Sequence, residues 1–147
     1  DVVIKTRSGK LFGAHSVNLD LYSDGFPPAS FADNSAVNEV ELPENDAVVL
    51  LMLKYMHKQR QPDLKKLEFK VFRGLAEAAE KYFIYAAMDV CRMQMQSFAK
   101  THPLEVLGYA AKHDYPEICD LCAPATLGMS LKKIQGVLTP ADTLRWV

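Results

Sequence analysis

Hydrophobic and polar positions alternate over the first part of this chain. Apolar runs at 2–4 and 11–12 flank a polar turn at 7–9, which predicts a β-hairpin. A short helix is expected at about 16–24, and the alternation at 39–42 predicts a third strand. These segments indicate a small sheet whose strands come early in the chain.

Helix breakers separate that short helix from the third strand. The segment Gly25-Phe-Pro-Pro28 ends the helix, because proline cannot continue a helix and restricts the residue before it. Residues 29–38 are polar and are expected to form a loop, and Pro43 is expected to stop the third strand.

Apolar spacings of three and four residues predict helices in the rest of the chain. These helices are expected at about 45–57, 68–81, 85–99 and 103–113, near Pro116 and Leu131, and after the start signal Thr139-Pro-Ala-Asp142. The first of them is apolar almost all round, so it is expected to be buried on most sides or covered by a partner. Strands followed by helices indicate an α+β fold, a small three-stranded sheet covered by helices.

The short helix at 16–24 has two apolar sides. With His15 as zero and a rotation of about 100° per residue, four positions fall within about 80° of one another. These positions are His15, Leu19, Ser23 and Phe26. They form the predicted inner face, where the imidazole is expected to bond a backbone carbonyl or a carboxylate, with Asp1 as the candidate partner.

The opposite side of the same helix is predicted to be a contact surface. It carries two large aliphatic side chains, Val17 and Leu21, with Asp24 beside them and Asn18 on the flank. Two alternatives stay open, since isolated apolar residues are normal on protein surfaces and the C-terminal helices could cover these two. The predicted dimer interface therefore comprises Val17, Leu21, Asp24 and Asn18.

A spaced motif runs from the first strand through this helix. It reads Phe12-x-Ala-His15-x3-Leu19-x3-Ser23-x2-Phe26, preceded by Asp1-Val-Val-Ile and a glycine turn. This motif resembles the opening of a BTB/POZ domain.

Later segments of the chain agree with that resemblance. Residues 40–42 are similar to the family's third strand, and the apolar positions at 50–56 are similar to the helix that follows it. Residues 79–95 resemble the family's late helical pair with its buried cysteine, here Cys91. The amino-acid sequences of residues 25–28 and 78–82 are most similar to those of BTB proteins from mushroom-forming fungi.

The resemblance implies a non-catalytic interaction scaffold, with a BTB/POZ domain at 1–99 and a helical extension at 100–147. It implies a homodimer in which the first helix packs against its twofold mate, and a buried structural histidine at His15. Many members exchange a strand that precedes the first one seen here. Because the chain opens with Asp1 rather than Met, we expect a fragment in which that strand is absent or not included.

An alternative role is that of a substrate adaptor for a cullin-type ubiquitin ligase. Such BTB proteins commonly carry an apolar-x-Glu motif in the connector after the buried helix. Here residues 58–68 contain one glutamate, Glu68, and the position two before it is Lys66. The motif is not seen in that form, so we rank the adaptor role below the homodimeric scaffold.

Composition narrows the classes of function. The 147 residues, 49% of them hydrophobic, suffice for one domain with an extension. The net charge of −1 argues against bulk binding of nucleic acid, and no apolar run is long enough to span a membrane. Three cysteines predict free thiols and an intracellular protein, with nucleus and cytoplasm equally open.

No cofactor, metal, small-molecule substrate or enzymatic activity is expected. Cys119-x-x-Cys122 with His113 nearby invites a zinc site, but a tetrahedral site needs four ligands and a second pair is missing. At helical spacing these cysteines are more typical of a core.

Positive charge is concentrated in one 20-residue window. Its cationic residues are Lys54, Lys58, Arg60, Lys65, Lys66, Lys70 and Arg73. A solvated face is the ordinary interpretation, and an acidic protein partner is the alternative. Nucleic acid ranks third, because the interleaved aromatic residues of a base-stacking platform are missing.

Overall fold

The computed structural model describes residues 1–26 and 38–147. Over these residues the chain has an α+β fold with a small three-stranded sheet, as predicted. The strands are β1 (Val2–Lys5), β2 (Leu11–Ala14) and β3 (Asn38–Glu41). The helices are α1 (Ser16–Tyr22), α2 (Asp46–Tyr55), α3 (Phe69–Lys81), α4 (Tyr85–Met95), α5 (Pro103–Lys112), α6 (Pro116–Thr126), α7 (Leu131–Gln135) and α8 (Pro140–Trp146). Short 3-10 helices occupy Leu64–Lys66 and Gln96–Phe98.

The predicted break and loop fall mainly on residues outside the described ones. Pro27, Pro28 and residues 29–37 belong to that undescribed part. Asn38, which was predicted to end the loop, is instead the first residue of β3.

β1 is the central strand of the sheet. It pairs antiparallel with β2 and parallel with β3, so the order is β2-β1-β3. Val2 and Ile4 are buried while Val3 and Lys5 are half-buried, which is the alternation of a strand with one core-facing side. Gly9 closes the hairpin with a φ of 87°, a left-handed conformation that glycine adopts without steric cost.

Two predicted helix starts are confirmed by their capping bonds. The Asn45 side chain accepts a hydrogen bond from the backbone N–H of Val48 at 3.0 Å and caps α2. The Thr139 hydroxyl accepts from the backbone N–H of Asp142 at 3.2 Å and caps α8. Both helices therefore begin where a side chain satisfies a backbone donor that has no partner within the helix.

The chain divides into two compact units, Asp1–Cys91 and Arg92–Val147. The division falls inside α4, ahead of the boundary expected between residues 99 and 100. In the first unit α2 and α3 pack against each other. The buried side chains of this unit include Val2, Ile4, Val40, Val49, Met52, Phe72, Leu75, Ala79, Ile84 and Cys91.

The second unit is helical, and α5 and α6 are its most closely associated pair. Its buried side chains include Val106, Leu107, Tyr109, Ile118, Cys122 and Ile134. In the described residues of both units, no helix is long and apolar enough to cross a membrane.

The three-and-four spacing of apolar residues in α3 continues in the sequence to Phe83, which predicts a core position for this residue. This prediction is wrong, because α3 ends at Lys81 and the Phe83 side chain is 47% exposed. Its φ of 50° lies in the left-handed region, so the chain leaves the helix at this residue and the three-and-four spacing no longer applies.

Candidate functional site

His15, which precedes the first residue of α1, does not lie where the helical wheel predicts. His15 is the N-cap, with an extended backbone at φ −107° and ψ 125°, and its side chain makes no capping bond. It is exposed, so the prediction of a buried histidine on the inner face is wrong. Helical rotation starts only at Ser16, and a wheel that takes His15 as zero cannot describe its side chain.

Asp1 binds the first residue of α1, Ser16, rather than the predicted partner His15. Its carboxylate accepts from the backbone N–H of Ser16 at 2.9 Å and from the Ser16 hydroxyl at 3.0 Å. The predicted partner, His15, instead lies near His57, with ring centroids 6.4 Å apart. Asp1 thus satisfies a free backbone donor of α1 and places a negative charge at the positive end of the helix.

The inner face of α1 is held by three side chains. Leu19 is 5% exposed, and the buried Ser23 hydroxyl donates to the Leu19 carbonyl at 2.7 Å. Phe26 lies beyond the helix, which ends at Tyr22, yet its ring reaches that of Tyr82 at 5.3 Å. The inner position is therefore confirmed for Leu19 and Ser23, while Phe26 is half-buried through the path of the chain after α1.

The outer face of α1 presents two aliphatic side chains to solvent. Val17 is 69% exposed and Leu21 is 70% exposed, so both side chains are open to solvent. Asn18 is half-buried beside them and Asp24 is exposed. We call Val17, Asn18, Leu21 and Asp24 the α1 surface.

Asp24 joins the α1 surface to the turn between α3 and α4. Its carboxylate accepts from the Tyr85 hydroxyl at 2.7 Å, and its backbone N–H donates to the Phe83 carbonyl at 3.3 Å. Phe83 is 47% exposed and Tyr85 is 53% exposed, so both aromatic side chains at this turn are open to solvent. Asp24 therefore connects exposed apolar residues on two elements that are distant in sequence.

Sequence reasoning missed Phe83 and Tyr85. The signal was the run Tyr82-Phe-Ile-Tyr85, four consecutive large apolar residues after a helix. Neighbouring side chains point in different directions in helices and strands alike, so such a run is not expected to turn every side chain into one core. Burial of Tyr82 and Ile84 left the other two exposed.

Gly25 allows the chain after α1 to lie against this turn. A Cβ at this position would lie 2.7 Å from Phe83 Cδ2 and 3.0 Å from the Lys81 carbonyl oxygen. The Gly25 N–H donates to the Tyr82 carbonyl at 2.9 Å. A side chain here would crowd the backbone of Lys81 and Tyr82, so glycine favours this approach, which brings Asp24 beside Tyr85.

A half-buried network lies at the end of α3. The Tyr82 hydroxyl and the Lys81 ammonium both donate to the Glu44 carboxylate, each at 2.8 Å. Burial raises the pKa of Tyr82 to about 12. The Glu44 carboxylate also raises this pKa, while the Lys81 ammonium lowers it. The phenol therefore stays protonated at neutral pH and keeps donating to Glu44.

The remaining predicted site residues lie at the surface of the first unit. Phe12 is half-buried on β2, with the Lys10 ammonium 5.3 Å from its ring centroid. The predicted partner patch is exposed at Lys58, Arg60, Lys65, Lys66, Lys70 and Arg73 and half-buried at Lys54. Lys66 lies 3.9 Å from the Asp63 carboxylate. The structure thus places these cations in solvent, and their role stays a prediction.

The cysteines are placed differently from one another. Cys91 and Cys122 are buried, as expected of small core residues, whereas Cys119 is half-buried. Burial raises the pKa of Cys91 to about 12 and that of Cys122 to about 11. Across residues 1–26 and 38–147, no group of three or more His, Cys, Asp or Glu side chains is arranged to hold a metal ion.

No model of a known protein family matches this chain, and no curated protein matches it at a significant level.

Proposed function

We propose that this chain is a non-catalytic interaction domain that forms a homodimer through the α1 surface, as the BTB/POZ resemblance implies. The observation that carries the proposal is the exposure of Val17 and Leu21 on a helix whose other side is anchored by Leu19. Two large exposed aliphatic side chains on one side of a helix offer apolar area that a second copy can bury.

Helix α1 alone offers less surface than a stable dimer interface needs. A helix of seven residues is about 10 Å long, and each partner in a stable interface buries about 800 Å². Phe83 and Tyr85 are the exposed apolar residues that Asp24 connects to the end of α1. We therefore extend the proposed interface to these two aromatic side chains.

The buried thiols are poor candidates for a nucleophile. A cysteine nucleophile acts as its thiolate, and the raised pKa of Cys91 and of Cys122 keeps both protonated at neutral pH. Burial, followed by neighbouring carboxylates, also raises the pKa of Cys119.

Sedimentation equilibrium at tens of micromolar tests the proposal. In the double variant Val17→Asp, Leu21→Glu, acidic side chains would meet their copies across a twofold axis, so the dimer dissociation constant should rise at least tenfold. Far-UV circular dichroism should stay unchanged, because both positions are exposed. Loss of helicity would instead show that these residues support the fold.

A matched variant separates this surface from exposed apolar residues in general. Met93→Asp with Leu144→Glu changes two side chains that are 61% and 80% exposed, and association should be preserved. A wild-type chain that stays monomeric at tens of micromolar would overturn the homodimer, and so would an equal loss of association in both double variants.

A further inference from the structure

The second unit contains a cavity of about 300 Å³ among α5, α6 and α8. Its apolar wall is formed by Leu107, Ala110, Ala123, Leu127 and Leu138. Ligand pockets commonly span about 300–1,000 Å³, so this cavity is at the small end of that range. Its size suits one long side chain rather than a large ligand.

The polar lining of the cavity is mostly acidic. Three carboxylates, Asp114, Asp120 and Asp142, line it together with one guanidinium, that of Arg145. Arg145 lies 3.9 Å from Asp142, so one negative charge already has a cation beside it. Asp114 and Asp120 make no ion pair within the described part of the chain. The cavity therefore carries unbalanced negative charge at its rim.

Cys119 lies in the wall of the cavity, and the pKa of its thiol is affected by the same carboxylates. After burial, the causes that raise its pKa are carboxylates, in the order Asp120, Asp142, Glu117 and Asp114. Three of these four line the cavity themselves. Carboxylates from α6, α8 and the turn after α5 thus act on one point of the wall.

The cavity also has a fixed aromatic side. Trp146 and Tyr115 line it, and the Trp146 indole N–H donates to the buried Thr126 hydroxyl at 2.9 Å. That bond fixes the orientation of the indole ring. A cation near the face of Trp146 would gain from the negative potential of its ring, whereas the Tyr115 ring already has the Arg92 guanidinium 5.9 Å from its centroid.

We propose that this cavity binds an arginine side chain of a basic peptide segment in a partner protein. The aliphatic stem of arginine would lie along Leu107, Leu127 and Leu138, and its guanidinium would reach Asp114 and Asp120. The combination of an apolar channel, two unpaired carboxylates and an indole suits arginine, which is planar, always charged and weakly hydrated. This site is independent of the α1 surface and needs no dimer.

Tryptophan fluorescence gives a direct measurement, because Trp146 is the only tryptophan in the chain. The full chain is titrated with acetyl-Ala-Arg-Ala amide and, separately, with acetyl-Ala-citrulline-Ala amide, which has nearly the same shape without the charge. We expect a saturable change of Trp146 emission with the arginine peptide and a dissociation constant at least fivefold higher for citrulline.

Variants of the rim test the role of the carboxylates. Asp114→Asn with Asp120→Asn should raise the dissociation constant of the arginine peptide at least fivefold. Glu68→Gln with Asp89→Asn removes two exposed carboxylates that do not line the cavity and should change it less than twofold.

Three outcomes would overturn the proposal: no saturable change, equal affinity for both peptides, or unchanged affinity in the rim variant. The comparison of the two peptides uses the unaltered chain, so it decides the matter even where a variant folds poorly. None of these outcomes depends on whether the α1 surface forms a dimer.

Discussion

The two sides of α1 carry similar aliphatic side chains with opposite surroundings. Leu19 is 5% exposed while Leu21, two residues later, is 70% exposed. Full burial of a leucine side chain contributes about 2 kcal/mol. On the inner side that free energy already stabilises the fold, and on the outer side it is still available for a contact. The same residue type therefore supports folding on one side and, in our proposal, association on the other.

Two tyrosines at the ends of α3 and α4 repeat this contrast. Tyr82 is 4% exposed and donates to Glu44, whereas Tyr85 is 53% exposed and donates to Asp24. Both hydrogen bonds join a phenol to a carboxylate at nearly the same distance. Because a bond screened from water is worth more than one in solvent, only the first should matter much for stability.

The largest expected effect is that of Leu19→Ala. Removal of a buried leucine leaves a cavity, so the free energy of unfolding should fall by about 3 kcal/mol. The matched change, Leu21→Ala, should stay within about 0.5 kcal/mol. Urea unfolding at a concentration low enough to keep the chain monomeric measures both. Similar losses in the two variants would show that the sides of α1 do not differ as described.

An intermediate effect is expected at Tyr82. In Tyr82→Phe the Glu44 carboxylate loses one of its two donors, and the free energy of unfolding should fall by about 1–2 kcal/mol. Tyr85→Phe should cost less than about 0.5 kcal/mol, because water replaces the lost partner of Asp24. A larger loss in the second variant, measured by urea unfolding, would contradict the ranking by burial.

The smallest effect concerns a carboxylate at the surface, and it depends on pH. The Thr6 and Ser8 hydroxyls donate to Asp46 at 2.6 and 2.7 Å, and these bonds hold the pKa of Asp46 below its usual range. A carboxyl whose pKa is lower in the folded state stabilises it above about pH 4, its unfolded value. That contribution is lost as the pH falls through the folded pKa.

Urea unfolding at pH 7 and at pH 3 measures this contribution. The stability difference between wild type and Asp46→Asn should shrink on acidification, and Ser8→Ala, which removes one of the two donors, should show a weaker pH dependence than wild type. A difference that grows toward pH 3 would mean that the hydroxyls favour the protonated carboxyl instead.

Much of the local structure could be predicted from short segments. The hairpin, the short third strand and the starts of α2 and α8 rest on turn glycines and capping side chains, which act within a few residues. The aliphatic outer face of α1 could also be predicted, because Val17 and Leu21 lie within the helix where the wheel applies.

The incorrect predictions concern residues just outside the two ends of a helix. His15 and Phe83 were assigned by helical spacing, but their backbones are extended and left-handed respectively. The wheel has no meaning at such positions, because the rotation per residue is no longer that of a helix. Asp1 was predicted to bind His15, and this prediction is wrong, because its carboxylate accepts from Ser16 at the start of α1.

By itself, the sequence determined which segments are strands and helices and which side of α1 carries free aliphatic side chains. These properties depend on neighbours within one or two turns of chain. Only the tertiary structure decided that Asp24 meets Tyr85, that Phe83 is exposed, and that three carboxylates and Trp146 line one cavity. Such arrangements join residues from different elements, and their positions depend on packing that no local pattern encodes.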